Sequence, residues 1–245
     1  MRRFHLTLIF TLSFILISGA AQAGQALLVK ATAAQKAGRN AEALKLLNEY
    51  LDLHPRTKEA LYYRALALKG LGRQKEALED LDLVLADSPG NIKFLMLKGR
   101  ILAAMDRRPE ANLIFTRVIK EAPGKVAAYK ERADNFEREG RFDEAIADLN
   151  RAARLAPRDP WVFDKRGLAW FCKGDYQKAV ADFTTAIQVR PDLANSYFLR
   201  GNMYRYHLMQ RDQAIADYKK GCSLGSRLCC LELEKLGVKP GKKSR

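Results

Sequence analysis

The sequence predicts an all-α solenoid of tandem helical hairpins, and three series of residues predict it. Pro55, Pro89, Pro123, Pro157 and Pro191 recur at an unbroken spacing of 34 residues. Ala43, Ala77, Ala111, Ala145 and Ala179 keep that spacing, and so do the small residues Ala31, Ala65, Gly99, Ala133, Gly167 and Gly201. A fixed period of this length marks a repeat architecture, in which each unit is one supersecondary element that buries its apolar face on its neighbours. The period sets units at 24–57, 58–91, 92–125, 126–159, 160–193 and 194–225, followed by a capping segment at 226–236.

Residues 1–23 stand apart from the repeats and read as a signal peptide. Arg2 and Arg3 give a basic start, Leu6 to Ile17 is a short apolar run, and Ala21-Gln22-Ala23 supplies the small residues of a cleavage site. An uncleaved membrane anchor is the alternative, but the run is short for a bilayer span. Cleavage would leave Gly24 first, with no cysteine there for lipid attachment and no membrane span in the mature chain. A periplasmic or secreted location is therefore expected.

Within each unit the series have separate physical jobs. The Gly or Ala inside the first helix lets the second helix approach closely, and the Ala opening the second helix serves the same crossing. Gly38, Gly72, Gly140 and Gly174 fall between the helices, where a left-handed residue ends the first. Asp106 holds that slot in the third unit, as a short polar residue can. The prolines follow the second helix and stop it. Leu27, Leu61, Leu95, Tyr129, Phe163 and Tyr197 form one core row; Leu47, Leu81, Phe115, Leu149 and Phe183 form another. The sixth unit slips by one residue near Leu208 and Met209 and lacks the closing proline. Ser226 to Leu236 then reads as a capping helix with Leu228, Leu231 and Leu236 on one side, and 237–245 as a basic, disordered tail.

The run RGLAWFCKGDYQKAVADFTTAIQVRP, from Arg166 to Pro191, carries nearly every marker residue of the tetratricopeptide motif. On these residues the chain resembles the tetratricopeptide repeat family over about nine-tenths of its mature length. The resemblance implies a right-handed superhelical solenoid whose first helices line a concave groove, and a protein-binding role. Some family members grip a C-terminal carboxylate with a lysine–asparagine–arginine clamp. Asp134 and Lys165 stand where such a clamp would want amides, so that specificity is not carried over.

The seventh residue of every unit is basic: Lys30, Arg64, Lys98, Arg132, Arg166 and Arg200. Four units carry an aspartate sixteen or seventeen residues later, and these are the four with arginine. The pairs Arg64–Asp80, Arg132–Asp148, Arg166–Asp182 and Arg200–Asp217 are expected as structural ion pairs within each repeat. The lysine units have Leu46 and Ile114 at that place. Arginine's planar fork suits a fixed carboxylate, whereas lysine can reach solvent without one.

What remains on the first helices is the candidate ligand-binding groove: Tyr62, Lys69, Lys93, Arg100, Lys130, Trp161, Asp164, Phe171, Phe198, Asn202 and Arg205. Leu28, Met96 and Leu168 fall at groove positions too. The mix of aromatic and polar side chains from the fifth unit onward is the kind that anchors peptides. Of the cysteines, Cys222 and Cys230 stand eight apart, a separation resembling the helix-bridging disulfides of related cysteine-rich helical hairpins. Cys222–Cys229 and free thiols are the alternatives. His54 and His207 have no short ligand spacing to the cysteines, so no metal or other cofactor is expected.

The formal net charge is +15, or +13 without Arg2 and Arg3, which favours anionic partners. An exported chain rarely meets nucleic acid, so envelope partners rank higher. No nucleophile–base pair, metal cluster or phosphate loop points to catalysis. The expected function is a non-catalytic protein- or peptide-binding scaffold of the cell envelope. The alternative is a basic adaptor for phospholipid, lipopolysaccharide or acidic glycan.

Overall fold

The computed structural model describes residues 22–239. The signal-peptide reading, except for its last two residues, lies outside the described residues, as do residues 240–245 of the basic tail. The described chain is all-α, with no strand among its residues. Its helices are α1 (22–36), α2 (Asn40–Leu53), α3 (Lys58–Gly70), α4 (Gln74–Asp87), α5 (Ile92–Ala104), α6 (Arg108–Glu121) and α7 (Val126–Arg138). They continue as α8 (Phe142–Leu155), α9 (Pro160–Cys172), α10 (Tyr176–Val189), α11 (Ala194–Asn202), α12 (Arg211–Ser223) and α13 (Arg227–Lys235). None is long and apolar enough to cross a membrane. The chain falls into two compact units, divided between Ile114 and Phe115.

In the first unit α2, α3, α4 and α5 pack in sequence. In the second, each helix from α7 to α13 packs on the next. Turns between paired helices need a left-handed residue; Gly174 holds φ +81°, and Asp106 takes φ +63° in the third pair. The alanines that open the second helices are fully buried, from Ala43 to Ala179.

The small residue inside each first helix is matched in size to the second helix. A Cβ on Gly167 would lie 2.8 Å from the Phe183 ring, and one on Gly201 would lie 2.7 Å from Tyr218. Where the ring is replaced by leucine, the slot holds alanine: Ala133 and Leu149 share one core cluster, both buried. Glycine therefore accompanies an aromatic ring and alanine accompanies leucine, because the interhelical space is fixed and interiors pack to near-crystal density.

The one-residue slip of the sixth unit is absorbed by a π-helical turn over Met203–His207, where Leu208 N donates to Met203 O at 3.0 Å. Wider i→i+5 bonding takes up one extra residue without breaking the helix pair. Met209, in the slot of the turn glycines, then adopts φ +57°.

Of the three leucines read on one side of the cap, Leu236 packs against its core. Cys229, Glu232 and Leu233 are the buried side of α13, while Leu228 and Leu231 are exposed. Two ties rotate the helix this way. A disulfide joins Cys222 of α12 to Cys230, with Cα atoms 4.9 Å apart. Glu232 also accepts hydrogen bonds from Tyr206 Oη at 2.7 Å, Lys235 Nζ at 2.6 Å and Arg205 Nη1. Burial pushes the Glu232 carboxyl up, and these three donors outweigh it, holding the group below its ordinary range. Cys229 is a buried free thiol raised by burial, and Cys172 is free and exposed.

Candidate functional site

The arginine ladder is a set of three-way joints. Arg166 donates from Nε to Asp182 Oδ2 at 2.8 Å and from Nη2 to Asp182 Oδ1 at 2.6 Å. Its remaining Nη1 donates to Asn150 Oδ1 of the preceding repeat at 2.8 Å. Arg64, Arg132 and Arg200 make the same fork, to Asp80, Asp148 and Asp217. Their third bonds go back to Asn48, Thr116 and Thr184. Each arginine thus ties its own second helix to the previous one, and all four aspartates are buried.

Lysine was expected to manage without a carboxylate, and Lys98 does not. It pairs with Asp82 of the preceding repeat, in the cross-repeat slot that holds Asn or Thr beside the arginines. A single ammonium cannot fill both sites, so the third repeat places its charge at one and apolar Ile114 at the other. Lys30 is exposed.

In the first unit, the groove positions on α3 and α5 form an aromatic cluster. Lys93 Nζ lies 3.9 Å over the Tyr62 ring, and Tyr62 meets Phe94 at 5.6 Å between centroids. Burial and the neighbouring Tyr63 push the Tyr62 hydroxyl up, with Arg100 opposing. Lys69 is exposed at the end of α3. Leu28 and Met96 are buried and belong to the core, because the apolar face of each first helix is wider than the repeat register alone suggests.

In the second unit, α7 and α9 form a cleft of about 410 Å³ lined by Asp134, Glu137, Phe142, Lys165, Leu168 and Phe171 among others. Toward the N-terminal ends of the same two helices, Asp159 caps α9, accepting from Trp161 N at 3.1 Å, and pairs with Lys130 at 2.8 Å. Lys130 Nζ in turn lies 4.2 Å over the Trp161 ring, which is part-buried. Asp159-Pro160 is a strong helix start, and it fixes where Trp161 emerges. Lys165 Nζ donates to Asp134 at 2.7 Å and to Glu137 Oε2 at 3.2 Å. That double pairing engages the Lys165 charge within the wall of the cleft. Glu137 Oε1 is buried without a hydrogen-bond partner among the described residues, and burial raises the Glu137 carboxyl despite the Lys165 charge.

The remaining candidates are already engaged. Ser196 donates to Asp164 at 2.7 Å, and burial raises the Asp164 carboxyl. Phe171 packs against Tyr176 and His207 at 6.2 and 5.4 Å between centroids while still lining the cleft. Phe198 packs on the cap core, Asn202 accepts from Tyr218 Oη at 2.8 Å, and Arg205 is tied to Glu232. These last three face α12 and α13, because the added cap helix covers them. Of the groove candidates Phe171 lines the open cleft, with Glu137, Lys165 and Leu168, and the Trp161 ring lies 5.5 Å from Lys165 Nζ of its wall, with Lys130 over the same ring.

A model of the tetratricopeptide repeat matches residues 28–92 and 96–160. No curated protein matches the sequence. Among solved structures, MamA superposes with a TM-score of 0.64 at 19% identity, covering 77% of this chain and 100% of that one. The C-terminal part of a repeat protein from Cytophaga hutchinsonii gives 0.72 at 18% identity, over 84% and 80% of the two chains. A tetratricopeptide repeat protein from Parabacteroides merdae gives 0.62 at 25% identity, over 87% and 83%. At these identities the likeness is one of fold.

Proposed function

Because the chain belongs to the tetratricopeptide repeat family, whose fold is generally a protein–protein interaction scaffold, we propose that it is a non-catalytic scaffold of the cell envelope that holds a peptide segment of a partner protein against α7 and α9. The cleft between those helices carries the reading. It places apolar Leu168 and Phe171 beside a buried acceptor, Glu137 Oε1, that no group among the described residues satisfies. A buried polar atom without a partner is costly, and a peptide N–H or a basic side chain would relieve that cost. An apolar side chain of the same peptide would rest on Leu168 and Phe171. The apolar run from Leu6 to Ile17 after Arg2 and Arg3 supports the envelope location.

A photo-crosslinking residue in place of Phe171, expressed in intact cells, tests both parts. The expected result is a discrete adduct with an envelope protein, mapped to one peptide. Trp161→Ala should lower affinity for that peptide at least about 10-fold while helicity is kept, as loss of an aromatic anchor does. Adducts confined to cytosolic proteins would refute the location. Crosslinks scattered over many peptides, or affinity indifferent to Trp161, would refute the site.

A further inference from the structure

The outward faces of the second helices carry a charge pattern that the groove does not explain. In the second compact unit, Arg117 and Lys120 on α6, Arg151 and Arg154 on α8, Arg158 just beyond α8, and Lys220 on α12 are all exposed. None of the six has an ion-pair partner among the described residues, although most exposed arginines elsewhere do, such as Arg73 with Glu76 and Arg141 with Glu144. Arg117 and Arg151 are repeat-equivalent, as are Lys120 and Arg154, so the cations recur from α6 to α8, while Thr185 and Gln188 hold those places on α10. Along α8 the spacing i, i+3 puts Arg151 and Arg154 on one face, away from buried Ala145, Leu149 and Ala152, and Arg158 follows in the turn beyond the helix. Glu121 is the only exposed carboxylate in the C-terminal halves of α6, α8, α10 and α12. Position near a helix C-terminus favours Lys120, Arg154 and Lys220 through the helix dipole, but not Arg117 or Arg151, a turn earlier.

From this arrangement we infer that the outward face of α6, α8, α10 and α12 docks on an anionic phospholipid surface. Three observations favour a lipid surface over a folded acidic partner. The cations spread over α6, α8 and α12 with Glu121 as the one exposed carboxylate among them, so little fixes the register of a rigid partner, and a fluid array of headgroups needs no register. Leu155 is 45% exposed between Arg154 and Arg158, giving the face an apolar contact as well as charge. Between α8 and α10 lies a shallow cleft of about 360 Å³ lined by Arg158, Thr185, Gln188 and Val189. It offers a guanidinium and an amide to a phosphate, with an apolar wall. The face lies on second helices and the peptide cleft on first helices, so the two can be filled together.

Cosedimentation of the full mature chain with phosphatidylcholine vesicles, with and without phosphatidylglycerol, tests this. Binding is expected only with phosphatidylglycerol, weakening steeply as salt rises. Combined Arg151→Gln, Arg154→Gln and Arg158→Gln should lower vesicle affinity roughly 100-fold. Combined Lys36→Gln, Lys45→Gln and Lys75→Gln change net charge equally, at exposed sites in the first unit, and should leave affinity within about 3-fold by the same accounting. All six side chains are exposed, so circular dichroism should be unchanged in both variants. No binding to phosphatidylglycerol vesicles would overturn the inference. So would equal losses in the two variants, or binding to polyglutamate or duplex DNA without binding to vesicles.

Discussion

Replacing Arg166 by alanine is expected to lower the unfolding free energy by about 3 kcal/mol, read as a fall in the urea midpoint. The reason is the carboxylate left behind. Asp182 is only 5% exposed and takes both of its short charge-assisted bonds from this one guanidinium. A buried charge without its partner cannot recover its hydration, so breaking the pair costs more than the pair contributed. Removing both partners, Arg166→Ala with Asp182→Ala, strands no charge and should cost less than the arginine change alone. Arg166→Lys should recover only part of the loss, since an ammonium cannot span Asp182 and Asn150 at once. Amide exchange should rise together in α8 and α10, the two helices that the arginine joins. An unchanged midpoint for Arg166→Ala would refute this account.

The helical hairpins were legible in the sequence because a repeat states each rule several times. Five prolines and five alanines at one spacing outweigh any local ambiguity, and the size-matched slots keep the same register. The cross-repeat bonds were legible in principle: Asn48, Asp82, Thr116, Asn150 and Thr184 form a polar column at the repeat spacing. An aspartate partner for each arginine hides that column, yet a guanidinium has five donors and two carboxylate bonds leave three.

The candidate groove was legible in position but not in occupancy. The repeat period places Asp164, Asn202 and Arg205 on first helices, and whether they are free depends on residues far along the chain. Ser196 reaches Asp164 across 32 residues, and Glu232 reaches Arg205 across 27. The cap escaped for a related reason. Leucine periodicity put Leu228, Leu231 and Leu236 on one side, but a disulfide and a carboxylate with three donors set the rotation of α13. Two short turns of exposed leucine cannot outweigh such ties.

The interior of the helix pairs gives the second large effect. Gly167→Val is expected to destabilise by about 3 kcal/mol, because fully buried Phe183 stands where the new side chain must go. Gly167→Ala should cost less, since alanine favours a helix over glycine by about 1 kcal/mol and offsets part of the clash. The repeat supplies its own remedy. The fourth unit solves the same crossing with Ala133 and Leu149, so Phe183→Leu should make room for an alanine at position 167. Phe183→Leu alone should leave a cavity beside Gly167 and lose stability. Together the two changes should be less damaging than the sum of the single ones, with a coupling of about 1 kcal/mol or more. Strict additivity, measured by urea denaturation of the four proteins, would mean that the glycine–aromatic and alanine–leucine pairings do not reflect a fixed interhelical space.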